Sequence, residues 1–142
     1  MSTLIDFQAL LDKERIRSFT AAEVFFRGGS DERLRINSEP PRDLWPKIIP
    51  TLRVLDALRT KLGCPIKLIS IYRNVAYNRA IGGEPRSYHT RFQACDFHAT
   101  RGTPRQWRDA LRTMRAAGVF SGGLGLYPTF VHVDTRGYPA NW

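Results

Sequence analysis

Residues 87–99 read S-Y-H-T-R-F-Q-A-C-D-F-H-A, and the second half of this stretch alternates. In Q-A-C-D-F-H-A (93–99), Cys95 and Phe97 project to one side and Asp96 and His98 to the other, the pattern of a β-strand with one apolar and one polar face. A second segment, F-V-H-V-D-T (130–135), repeats it: Val131 and Val133 go one way, His132 and Asp134 the other. The valines supply the core contact, which leaves His132 and Asp134 facing the polar side or a cleft. If the two strands are neighbours with these faces aligned, up to two imidazoles and two carboxylates converge. His89 lies just before the first strand, on a loop that can fold back over it.

Working outward, helices come first and strands late. Leu10 to Phe26 is helical in pattern but interrupted, with Thr20 as an N-cap and Glu23 at the capping-box position. Residues 27–42 form a polar loop. With Pro50 in the first turn, Leu52, Leu55, Leu58 and Leu62 recur at helical spacing until Gly63 closes the helix. I-K-L-I-S-I-Y (66–72) reads as a strand, and residues 74–86 hold a short helix at most. Thr103 and Pro104 open a helix that turns Trp107, Leu111 and Met114 inward and ends at Gly118. G-L-G-L-Y and F-V-H-V-D-T then pair as a hairpin. The expected fold is α+β: one domain over 1–142, mainly helical in 1–63, with a small, mainly antiparallel sheet in 66–142.

Composition narrows the function classes. The chain has 142 residues, enough for one hydrophobic core, and its 42% apolar content is that of a globular protein. No stretch approaches the ~20 apolar residues of a membrane-spanning helix. The start, M-S-T-L-I-D-F, lacks the basic, apolar and small-residue segments of a secretion signal, so synthesis in the cytoplasm without a signal peptide is expected. Cys64 and Cys95 are too few for a disulfide framework or a cysteine-built zinc site and read as buried free thiols. The net charge of +9 attracts polyanions: nucleic acid, acidic lipid or an anionic wall polymer. No recognition-helix motif appears, so no specific nucleic-acid partner is expected.

Zn²⁺ suits a cluster of imidazoles and carboxylates, taking their nitrogen and oxygen atoms at about 2 Å. Neither CxxC nor HExxH spacing occurs. Alternation alone leaves the ligand set open, with Asp96 and His98 as the natural pair.

Three motifs in order carry a resemblance. S-x-Y-R-x-x-x-x-N holds Ser70, Tyr72, Arg73 and Asn78. S-x-H-x-x-F-x-A-x-D-F holds Ser87, His89, Phe92, Ala94, Asp96 and Phe97. The third, G-G-x-G-x-Y-P-x-F-V-H-V-D-T-R-G, runs from Gly122 to Gly137. Together they resemble the zinc D-Ala-D-Ala carboxypeptidase family, which includes bacterial and phage peptidoglycan peptidases and shares its fold with the hedgehog signalling domain. The resemblance implies a metal site of the form H-x6-D followed by a later histidine: His89, Asp96 and His132 as ligands of Zn²⁺, with His98 outside the set. It implies that Arg73 points into the site to hold a substrate carbonyl or carboxylate and steady an oxyanion. Tyr72 and Ser87 are the implied substrate-binding residues, Ser87 bonding either the substrate or the metal-site loop.

Two positions depart from the family. Many members carry an acidic general base three residues before the last histidine, where this chain has Thr129. Asp134 is the available carboxylate, either as the base or as a residue that orients His132. Phe92 stands where other members have glycine, packing an aromatic under the ligand loop.

The implied function is zinc-dependent hydrolysis of amide bonds in peptidoglycan peptides, carboxypeptidase-like or as an endolysin-type endopeptidase. The protein is expected to be a monomer acting at the cell wall or periplasm, of phage or prophage origin. The alternative is a non-catalytic wall-binding domain of the same fold, favoured by Thr129.

Overall fold

A computed structural model describes residues 3–26 and 32–142. The two alternating segments become neighbours at the centre of a sheet. Its strands are β1 (Ile66–Ser70), β2 (Ala94–Ala99), β3 (Gly123–Leu126), β4 (Val131–Asp134) and β5 (Ala140–Asn141), in the order β1-β2-β4-β3-β5. All neighbours run antiparallel except β3 and β5, which are parallel. The α+β expectation therefore holds, with β5 as an addition too short for alternation to reveal.

Among the described residues there are five α-helices, of which α3 and α5 pack on the sheet: α1 (Thr3–Lys13), α2 (Ala21–Val24), α3 (Trp45–Leu62), α4 (Val75–Ala80) and α5 (Pro104–Ala116). The apolar face of β2, β3 and β4 (Cys95, Phe97, Leu124, Val131, Val133) is buried against Leu52, Leu55 and Leu58 of α3 and Trp107, Leu111 and Met114 of α5. Each large apolar side chain so buried contributes roughly 1.5–3 kcal/mol. Both cysteines are buried and free.

Local chemistry sets the helix ends. Thr103 accepts a hydrogen bond from Gln106 N while Gln106 caps Thr103 N, and Thr20 with Glu23 does the same for α2. Helix α1 begins at Thr3, earlier than the periodicity from Leu10 suggests, and an interruption separates it from α2 as expected. Helix α3 also begins early. Pro46, not Pro50, occupies its first turn, because Trp45, Ile48 and Ile49 extend the buried stripe backward; Pro50 lies inside the helix. Within the expected polar loop, residues 27–31 lie outside the described residues and Glu32–Ile36 form a 3-10 turn.

Two features aim the strands at one place. β1 stops at Ser70 after a register shift, two residues short of the expected end, because the next residues serve a loop. Ile71 O accepts from the His89 ring at 2.7 Å, and Arg73 N donates to His89 O at 3.1 Å. Meanwhile Thr51 of α3 donates to Gln93 O at 2.9 Å and meets the Thr135 hydroxyl at 2.9 Å. One buried hydroxyl thus ties the start of β2 to the end of β4.

Candidate metal centre

The register of β2 on β4 sets Asp96 directly across from His132, and Ala94 across from Asp134. His89 reaches the same point from a 3-10 turn (Tyr88–Arg91) that Ser87 caps by accepting from His89 N at 3.2 Å. That turn ends on Phe92 at φ 54°, a left-handed conformation costing a residue with a side chain about 1 kcal/mol or more. Phe92 is fully buried between Phe7, Phe25 and Tyr72, so packing offsets the strain.

His89 Nε2 and His132 Nδ1 each stand 3.1 Å from Asp96 Oδ1. One ligating atom from each of the three residues lies within 4.8 Å of the others, and all three residues are buried. The outer nitrogens are fixed. His89 Nδ1 donates to Ile71 O, which can only accept, so the neutral ring keeps its Nε2 lone pair turned toward Asp96. His132 Nε2 donates to Asp134 Oδ2 at 2.7 Å, leaving Nδ1 turned toward Asp96. Two nitrogens and an oxygen with orienting partners behind them are the donor set of a divalent metal ion, so the triad can hold one.

Electrostatics agree with that geometry. Burial pushes the His89 imidazole below its ordinary pKa, toward the neutral form a metal needs. Burial opposes charge on Asp96 and Asp134 too, but the imidazoles bonded to Asp96 outweigh it, as do His132 and Arg136 at Asp134. Both carboxyls are held well below the usual range. Burial likewise opposes the His132 imidazolium, and the bonds to Asp134 and Asp96 overcome it and raise its pKa. A cation in place of the Nδ1 proton satisfies the same nitrogen and oxygen.

A cavity of ≈ 660 Å³ opens over the triad. Arg73 borders it, donating to Asp96 Oδ2 at 3.2 Å and bracketed by Ser70 Oγ (3.3 Å) and Asn78 Oδ1 (3.4 Å). Ser87 borders it as well. Tyr72 does not; its ring packs edge-on to Phe92, on the aromatic core. Asp134 also lies off the cavity, fully buried behind His132. Its Oδ1 accepts from Gly123 N (2.9 Å), Arg136 N (3.1 Å) and Arg136 Nε (2.9 Å), and Oδ2 accepts from Arg136 Nη2 (2.7 Å). Of the carboxylates, Asp96 and Glu84 line the cavity. Thr129 is exposed on the β3–β4 turn, and His98 stands across from Lys67, outside the triad.

Sequence reasoning gave no role to Arg136 or Trp142, both of which line the cavity. Arg136 was within reach: residues 132, 134 and 136 share one period-two face, and the rule that pairs His132 with Asp134 extends to Arg136. Trp142 follows a two-residue strand with no periodicity to read.

The Peptidase M15 family model matches residues 12–134. Among curated proteins, the chain is similar to Peptidoglycan L,D-endopeptidase MepK of Escherichia coli K12 and of Shigella flexneri. Each is 42% identical over 78 residues, which cover 50% of this chain and 40% of the relative. The similarity thus spans less than half the length of these relatives. Among the described residues, no helix is long and apolar enough to cross a membrane.

Proposed function

The chain belongs to the peptidase M15 family, and from that premise we propose that it is a zinc-dependent endopeptidase acting on peptidoglycan peptides. The observation that carries the proposal is the convergence of His89 Nε2, Asp96 Oδ1 and His132 Nδ1 beneath an open cavity, with both imidazoles oriented from behind. The likeness to MepK supports the substrate class and the endopeptidase reading. His89, Asp96 and His132 would hold the zinc, which when bound would supply Lewis acidity toward an amide carbonyl and toward water.

The remaining roles follow from the side chains themselves. Arg73 keeps Asp96 in place through its outer oxygen and turns fixed positive charge on the cavity, suited to negative charge developing on a substrate carbonyl. Asp134 fixes the orientation of His132 and is itself clamped by Arg136, so its role is positioning and not proton abstraction from substrate. Ser87 acts on the ligand loop by capping the turn that presents His89, and Tyr72 acts from below by packing Phe92. The net charge of +9 favours adsorption to an anionic wall, the site of action in this reading.

The test is digestion of purified peptidoglycan, with soluble products identified by mass spectrometry. Release of cross-link-cleaved peptides, abolished by chelation and restored by zinc, is expected. Release of terminal D-alanine alone would make the enzyme a carboxypeptidase. Wall binding without any product would leave the non-catalytic reading.

A further inference from the structure

Trp142 differs from the other two tryptophans. Trp45 and Trp107 are buried, at 6% and 4% exposure, whereas Trp142 keeps 47% of its surface exposed and lines the cavity beside the metal-ligating cluster. It is nonetheless held from several directions. Its N donates to Leu124 O (3.1 Å) and its O accepts from Leu126 N (2.8 Å), continuing the ladder of β5 on β3. The indole Nε1 donates to Tyr127 Oη at 2.9 Å, and the ring centroid lies 4.8 Å from that of His132. Gly125 makes the room: a Cβ there would come within 2.5 Å of the indole Nε1. β5 and Trp142 themselves lie beyond residue 134, where the family match ends, whereas the residues that hold them lie within it.

We propose that Trp142, carried by β5 and seated over Gly125, is a substrate-contacting wall of the cavity, on which a planar amide of the peptide stem stacks beside the metal triad. A half-exposed indole, flanked in the cavity by Tyr127 and Phe130 and with the Arg136 guanidinium 5.2 Å from its ring centroid, presents aromatic surface at low conformational cost, the property that makes tryptophan an anchor in recognition sites. Its closeness to His132 favours the peptide stem over the glycan as occupant, because the scissile amide must lie over the ligands. The proposal rests on the peptidase reading above.

Two substitutions test it differently. Trp142→Ala removes the wall, and Gly125→Ala displaces it while leaving the indole present. Both are expected to raise KM for a sugar-free cross-linked stem peptide roughly tenfold, with kcat and zinc content little changed, and Trp142→Phe recovers part of the affinity. With zinc chelated to prevent turnover, the same peptide should change the tryptophan fluorescence of the wild type and not that of Trp142→Phe, since the other two indoles are buried. Wild-type KM in Trp142→Ala alongside an active wild type overturns the wall and leaves the peptidase intact. Loss of zinc in Trp142→Ala overturns it in favour of a brace on His132. Affinity that depends on Trp142 only when glycan is attached overturns the peptide assignment. A wild type that neither binds nor cleaves wall peptides removes the peptidase reading itself, and the wall with it.

Discussion

The two faces of the β2–β4 pair are almost equally buried and are held by opposite forces. Val131 and Val133 are fully buried on one side, and His132 and Asp134 are at 6% and 0% exposure on the other. On the apolar face, burial is itself the stabilising term. On the polar face, burial costs free energy that partners only partly return, and replacing a buried charged network by apolar residues is often neutral or stabilising. Every fully buried side-chain nitrogen and oxygen among the described residues has found a partner, and on this face the partners include Ile71 O, Gly123 N, Arg73 and Arg136. The apolar face holds the fold, and the polar face is held by it. A network of that kind in the middle of a sheet is explained by chemistry and not by stability.

The contrast breaks first if the polar face proves dispensable. His132→Ala removes one of three ligands and should lower zinc affinity and peptide release at least about a thousandfold, with the far-ultraviolet circular dichroism of a folded protein retained. Full activity in that variant would remove the metal centre. The apolar face should behave in the opposite way. Phe97→Ala, one residue along β2 from Asp96, should cost about 3–5 kcal/mol in chemical denaturation while each molecule that remains folded binds zinc normally.

Asp134→Asn sharpens the contrast within the polar face. The amide cannot accept from both His132 and Arg136 as the carboxylate does, so the imidazole loses its fixed orientation. Zinc affinity should fall roughly 10- to 100-fold, and saturating zinc should restore most of the activity. If saturating zinc restores none, Asp134 handles protons directly and the positioning role fails.

How much of this was legible depends on the range of the interaction. Alternation is local, so the polar faces of residues 93–99 and 130–135 could be read directly, as could the capping boxes at Thr20 and Thr103. The register that sets Asp96 opposite His132 could not, because α5 and β3 intervene between the strands and nothing local specifies the pairing. The choice of His89 over His98 needed the family's spacing, since alternation by itself pairs Asp96 with His98. Phe92 announced its left-handed backbone only as a departure from glycine. The cavity wall was the least legible part: Trp142 is placed by a parallel pairing two residues long and by the missing side chain of Gly125, neither of which leaves a periodic trace.

The smallest expected effect is the most discriminating for the ligand set. His98 lies two residues beyond Asp96 on β2 and shares its face by alternation, yet it is half-buried across from Lys67 and takes no part in the triad. The atoms that gather within 4.8 Å belong to His89, Asp96 and His132, and those of His98 are not among them. His98→Ala should therefore leave zinc affinity within about twofold of wild type, near the limit of a competition titration, while His89→Ala abolishes tight binding. A tenfold loss in His98→Ala with binding retained in His89→Ala would reverse the assignment and make Asp96 and His98 the pair. It would also require the 3-10 turn that Ser87 caps to have some purpose other than presenting a ligand.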